Sequence, residues 1–115
     1  MSYEPFDVVT LPFPFADRNQ AVMRPALVLT GDAVFGRHSG VALVAMITSA
    51  NRSAWPYDVP VGDLASAGLR VACVVRAKLN SVDLDLIDRR IGALAEADRR
   101  AVGEALQLLL AGVLR

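Results

Sequence analysis

Cysteine and histidine are nearly absent: the 115 residues hold one of each, Cys73 and His38. A single thiol excludes a disulfide framework, and with a single imidazole it excludes the usual His/Cys transition-metal sites. The carboxylates stand singly along the chain, which leaves no oxygen-ligand cage. No metal and no cofactor is therefore expected. Net charge is lacking too. Twelve basic residues offset twelve acidic ones, four against four through residue 57 and eight against eight beyond it. No global field gathers a polyanion, so any nucleic-acid binding must rest on a local patch. The chain has no basic stretch leading into a short apolar one at its start, and no run of about 18 apolar residues, so no membrane segment is expected and the cytoplasm is the default compartment. A Gly-rich phosphate loop, a dinucleotide fingerprint and a Gly-x-Ser-x-Gly elbow are all missing, which removes nucleotide-driven and triad chemistry.

Apolar residues are plentiful instead. They make up 54% of the chain before glycine is counted, against a usual ~45–50% with glycine included. A single small domain spanning 1–115 can hardly hide them all, and a symmetric homodimer is the simplest way to share the excess. Their spacing predicts strands at 6–11, stopped by Pro12 and Pro14, then at 24–30, 41–48, 58–61, 70–76 and 89–94, where Gly92 is compatible with a bulge. Residues 63–68 and 84–87 suit single helical turns, and 31–40 reads as a turn-rich link in which His38 is solvated. Cys73 falls within the apolar run 71–75 and behaves there as a small hydrophobe. From Glu96 the period becomes helical, with Val102, Ala105, Leu106, Leu109 and Val113 on one stripe and Glu96, Arg100 and Glu104 four apart on the other side. Leu108, Leu110 and Leu114 widen that stripe beyond one packing face.

Polar chemistry gathers at strand ends. Arg24 precedes Pro25 and the run Ala26-Leu27-Val28-Leu29, which places a guanidinium at the rim of a buried strand. The run 41–48 ends in Thr48-Ser49. The segment 49–57 then offers hydroxyls, Arg52, Trp55 and Tyr57, whose rings serve either as lids on the barrel end or as a platform for unstacked bases beside a phosphate-contacting Arg52. Asp17, Arg18, Asn19 and Gln20 form a polar tip between two strands, and Arg76 and Lys78 are expected as rim cations where their strand ends. One reaction suits such sparse equipment: RNA cleavage in which the substrate's own 2′-hydroxyl attacks the adjacent phosphate. The protein then needs to align the attack and stabilise the extra negative charge. An arginine does not readily give up its proton, so Arg24 suits electrostatic stabilisation, with proton donation to the leaving oxygen also open to it, better than the role of general base, which is left unassigned.

Phe13-Pro14-Phe15 with Asp17, then Arg24-Pro25-Ala26-Leu27-Val28-Leu29, Ile47-Thr48-Ser49, and Ile91-Gly92-x-Leu94 leading into the helix resemble, in order and spacing, the MazF/PemK toxin family. The resemblance covers nearly the whole chain. It implies a mainly β fold with α, a small SH3-like β-barrel closed by a C-terminal helix. It also implies a homodimer and a metal-independent, sequence-specific endoribonuclease of single-stranded RNA, neutralised by a cognate antitoxin. Arg24 and Thr48 match the positions that carry the chemistry. Asp17, Arg18, Asn19, Ser49, Arg52, Trp55, Arg76 and Lys78 are the candidate RNA contacts. The chain departs from the family where Phe6-Asp7-Val8 replaces a Gly-Asp-Ile/Val start, and where Ala77-Lys78-Leu79-Asn80-Ser81 replaces Asp-Gln-x-Arg-Thr. That second departure keeps a catalytically silent RNA- or antitoxin-binding relative as an alternative. A gyrase-poisoning fold-mate is disfavoured, because the tail reads Gly112-Val113-Leu114-Arg115 rather than ending Trp-Gly-Ile.

Overall fold

The apolar runs pair into one antiparallel sheet in the computed structural model of the chain, which describes residues 2–14 and 22–114. Strands β1 (Asp7–Phe13), β2 (Val22–Val28), β3 (Val41–Ser49), β4 (Val59–Pro60), β5 (Cys73–Asp83) and β6 (Arg89–Ala93) lie in the order β4–β5–β3–β2–β1–β6. The sheet curls into a half-barrel. Its inner cluster takes Val8, Leu27, Ala45, Val59 and Val75 from five strands, with Ile91 of β6 packed against it. A second cluster, with Val9, Leu11, Ala26, Val28 and Val44, fills the other face. Neighbours such as Val8 and Val9 thus go to opposite cores, which is why the central strands read as unbroken apolar runs rather than as an alternation.

The seam between the edge strands β4 and β6 is covered by the short helix after β4 and sealed by the C-terminal helix. Helix α1 (Arg37–Ser39) belongs to the link between β2 and β3, where a helical turn (Asp32–Gly36) runs into it and Gly40 ends it at a φ of 79°. Helix α2 (Leu64–Ala67) is capped by Asp63, whose carboxylate accepts from the Ser66 N–H, and the Ser66 hydroxyl reaches the Ala93 carbonyl of β6 at 3.2 Å. Helix α3 (Glu96–Leu109) seals the inner cluster with Val102. The buried Asp98 ties it to the β4–α2 link by accepting from the N–H groups of Gly62 (2.9 Å) and Asp63 (3.0 Å).

The seat of α2 on β6 depends on glycine. A Cβ on Gly92 would lie 2.5 Å from the Ala67 carbonyl carbon, too close for any real contact. Gly92 also marks the β-bulge at Ile91, since Val8 pairs with Gly92 and Val9 with Arg90. Gly92→Ala is therefore expected to lower stability by about 1–3 kcal/mol as overpacking lifts α2. Thermal melting checks this, and an unchanged midpoint would show that α2 gives way at no cost.

Several expected boundaries move. β1 runs through Pro12 to Phe13 rather than stopping at Leu11. The Thr10 carbonyl accepts from the Asp88 N–H on the β6 side, so two residues on, the missing N–H of Pro12 faces that same side, beyond the last residue β6 pairs. Similarly, β2 begins three residues ahead of Pro25, and Arg24 sits inside the strand opposite Leu11. It remains at a rim because β3 pairs with β2 only from Ala26. β5 does not end at Arg76 but continues to Asp83. It bulges between Val75 and Leu79, opposite the Ala45–Ile47 step of β3, and the bulge is what broke the alternation there. α3 stops at Leu109, before a short α4 (Ala111–Leu114), so Val113 leaves the stripe and is 81% exposed.

Candidate functional site

The second face opens into a cleft of ≈ 230 Å³ between the end of β1, the unpaired start of β2 and the β3–β5 pair. Its site follows from the strand irregularities just described. The start of β2 presents Arg24, free of β3. The end of β3 presents Thr48, and Met46 two residues earlier lines the same wall. The β5 bulge re-aims Arg76 and Lys78 into the cleft, and the segment after β3 adds Arg52 and Trp55. Among the described residues the lining holds four cations and no carboxylate. This is a local positive patch on a chain of zero net charge.

Arg24 is exposed and Thr48 half-buried. Neither side chain has a hydrogen-bond or ion-pair partner among the described residues, so both present donors to the cleft. Six of the ten candidate residues meet there: Arg24, Thr48, Arg52, Trp55, Arg76 and Lys78. Ser49 does not line the cleft, and its hydroxyl bonds the side-chain oxygen of Asn51. Asp17, Arg18 and Asn19 lie outside the described residues. His38 is exposed, and Cys73 is buried, its thiol pKa pushed up by desolvation.

Arg76 is not the rim charge expected of it. It is buried, and its guanidinium grips Asp58 with Nε on Oδ1 (3.1 Å) and Nη2 on Oδ2 (3.0 Å), while Nη2 also donates to the Ser53 carbonyl (2.7 Å). The same group lies 4.9 Å from the centre of the Trp55 ring, and the backbone N–H of Trp55 donates to Asp58 Oδ2 at 2.9 Å. Lys78 is likewise not at a strand end; its Nζ lies 4.9 Å from the Phe13 ring, a cation–π contact across the cleft. Sequence reasoning had passed over Phe13 and Met46 as lining residues and Asp58 altogether. The period-2 offset from Thr48 marks Met46, but nothing local marks Asp58.

The hydrogen bond from Arg76, opposed by partial desolvation and helped by the Trp55 N–H, holds the Asp58 carboxyl below its ordinary range, and Asp58 in turn raises the guanidinium's pKa. A carboxyl depressed in the folded state contributes stability above its unfolded value of ~3.9 and loses it as pH falls through the folded value. Trp55 emission should therefore stay flat from pH 7 to about 4 and change only below that. A midpoint at or above the ordinary carboxylate value would show that the pair does not hold Trp55.

A half-barrel whose open seam is sealed by a helix, with a cation-lined cleft on its other face, defines a small SH3-like β-module. Comparison makes the class specific: the family model for PemK-like, MazF-like toxins of type II toxin–antitoxin systems matches residues 4–110, and the chain belongs to that family. Among solved structures it resembles MazF from Deinococcus radiodurans, with a TM-score of 0.73 at 22% identity over 96% of this chain and 98% of that one. The Mycobacterium tuberculosis toxin MazF-mt6 superposes with a TM-score of 0.66 at 28% identity, over 94% and 97%. An endoribonuclease from a mycobacterial species, solved with its cognate antitoxin, gives 0.73 at 16% identity over 95% of each chain. A comparison with curated protein sequences found no match.

Proposed function

We propose that this type II toxin is an endoribonuclease that cuts single-stranded RNA at a short sequence by attack of the substrate's 2′-hydroxyl on the adjacent phosphate. The observation that carries this reading is Arg24, whose guanidinium lines a cation-rich cleft together with the hydroxyl of Thr48, both side chains without a partner among the described residues. The nucleophile arrives with the substrate. Arg24 stabilises the charge that builds on the phosphorane and donates to the leaving oxygen, Thr48 hydrogen-bonds a phosphate oxygen, Arg52 and Lys78 hold flanking phosphates, and Trp55 takes an unstacked base. In this reading the charge is stabilised by the Arg24 guanidinium, which lines the cleft.

The partners follow from the same reading. Type II membership, together with an endoribonuclease of this fold solved with its antitoxin, supports a cognate antitoxin for this chain. Leu108, Val113 and Leu114 at the end of the chain are each more than 60% exposed, which suits a homodimer that shares apolar surface. Among the described residues no helix is long and apolar enough to cross a membrane, and in this reading the substrate is cytoplasmic mRNA. Purified protein incubated with a long RNA in EDTA, followed by primer extension, tests it: discrete stops at one recurring short sequence are expected, and intact RNA at micromolar protein would end the reading.

A further inference from the structure

The geometry points to Arg76 and Asp58 as positioning residues that hold the Trp55 indole as a preset stacking platform for one RNA base, Arg76 itself making no phosphate contact. This rests on the proposed RNA-binding role of the cleft. Arg76 lines the cleft beside Arg24 and Arg52, yet its Nε and Nη2 are committed to Asp58 and Ser53. A buried, bidentate guanidinium is poorly placed to meet a phosphate and well placed to fix what surrounds it. The hydrogen bonds and ring contact of its guanidinium among the described residues converge on one segment. The Ser53 carbonyl lies two residues before Trp55, the Asp58 carboxylate accepts from the backbone N–H of Trp55, and the guanidinium carbon lies over the ring, 4.9 Å from its centre. Trp55 is 43% exposed while Arg76 is 9% exposed, and both line the cleft, so with the guanidinium over one face of the ring the proposal leaves the other face for a base. An exposed tryptophan in a loop would ordinarily sample several rotamers and lose that freedom on binding. Held from behind, this one has already lost it, and a base stacks on the free face with less to order.

Trp55 is the only tryptophan in the chain, so its fluorescence reports on this platform alone. The probes are eight-nucleotide 2′-O-methyl homopolymers of each base, which keep bases and phosphates but have no nucleophile; stacking tolerates any base, so the recognised sequence need not be known. In the free protein, Arg76→Gln should lower Trp55 anisotropy and shift its emission. With the tightest-binding octamer it should weaken affinity about tenfold while leaving the salt slope unchanged, whereas loss of a phosphate contact would reduce the slope by about 0.7. Arg76→Lys should not rescue, because a point charge cannot make the fork. Asp58→Asn combined with Arg76→Gln avoids leaving a buried charge unpaired and should behave as Arg76→Gln does, with melting curves confirming that both fold. The deciding measurement is the double-mutant cycle: in a Trp55→Ala background, Arg76→Gln should have no further effect on affinity. A slope reduced by about 0.7, full rescue by lysine, additive losses in the cycle, or no octamer binding would each overturn the assignment. Octamer binding with the expected pattern but no cleavage of any RNA would leave the platform standing and remove the ribonuclease reading, and cleavage without stacking would do the reverse.

Discussion

RNA in which the 2′-hydroxyl at the cut position is replaced by hydrogen should remain intact under conditions that cleave the parent strand completely. This is the largest effect expected of the system, because the substitution deletes the nucleophile while leaving the base, the phosphate and the leaving group in place. Mutagenesis of the protein cannot match it. The cleft keeps its four cations and its stacking ring, so the deoxy substrate should still bind with near-normal affinity, and the loss should appear in turnover rather than in KM. The products of the unmodified strand should carry a 2′,3′-cyclic phosphate and a 5′-hydroxyl, as an intramolecular displacement requires, and should form equally well in EDTA. Equal cleavage of the deoxy strand would show that water, or a group of the protein, attacks instead, and would return the general question of the nucleophile to the side chains around Arg24.

Arg24→Ala should reduce turnover about 10²–10³-fold, the scale on which single preorganised donors to a developing oxyanion act. The fold should survive. Arg24 is exposed, precedes the β2–β3 ladder and has no partner among the described residues, so its removal opens no cavity and orphans no buried group. Lysine at this position should recover only part of the loss, since it supplies charge without the planar fork. Thr48→Ala should be milder, about tenfold, because it removes one neutral hydrogen bond rather than a charge. Arg52→Ala should act differently again, weakening binding and flattening its salt dependence with little change in turnover. Near-normal cleavage by Arg24→Ala with an unaltered melting profile would remove Arg24 from the mechanism. A collapsed melting profile would instead place it in the framework of the β1–β2 pair.

Some of this was fixed by spacing within single segments. The 3.6-residue period after Glu96, the acidic first turn and the leucine-rich end specify α3, because each depends on residues three or four positions apart. The apolar runs specify the existence of the strands, and Arg24-Pro25 and Thr48-Ser49 mark two strand ends that line the cleft, because each motif is contiguous. The family resemblance was legible for the same reason: it consists of short local patterns in a fixed order. What tertiary structure alone decided is where those patterns meet. β1 continues through Pro12 only because its missing donor faces a side that β6 has already left. The β5 bulge turns two predicted strand-end cations into residues aimed into the cleft from mid-strand. Asp58 and Arg76 are 18 positions apart on β5 and the segment leading into β4, and no local period links them. Their pairing depends on the register of a two-residue edge strand, Val59 against Val75 and Pro60 against Val74. Side-chain spacing along a strand sets which face a residue takes, but cross-strand register sets its partner. That is why the sequence could place Arg24 and Thr48 at strand ends that meet in the cleft yet took Arg76, whose charge is spent on Asp58, for a rim cation.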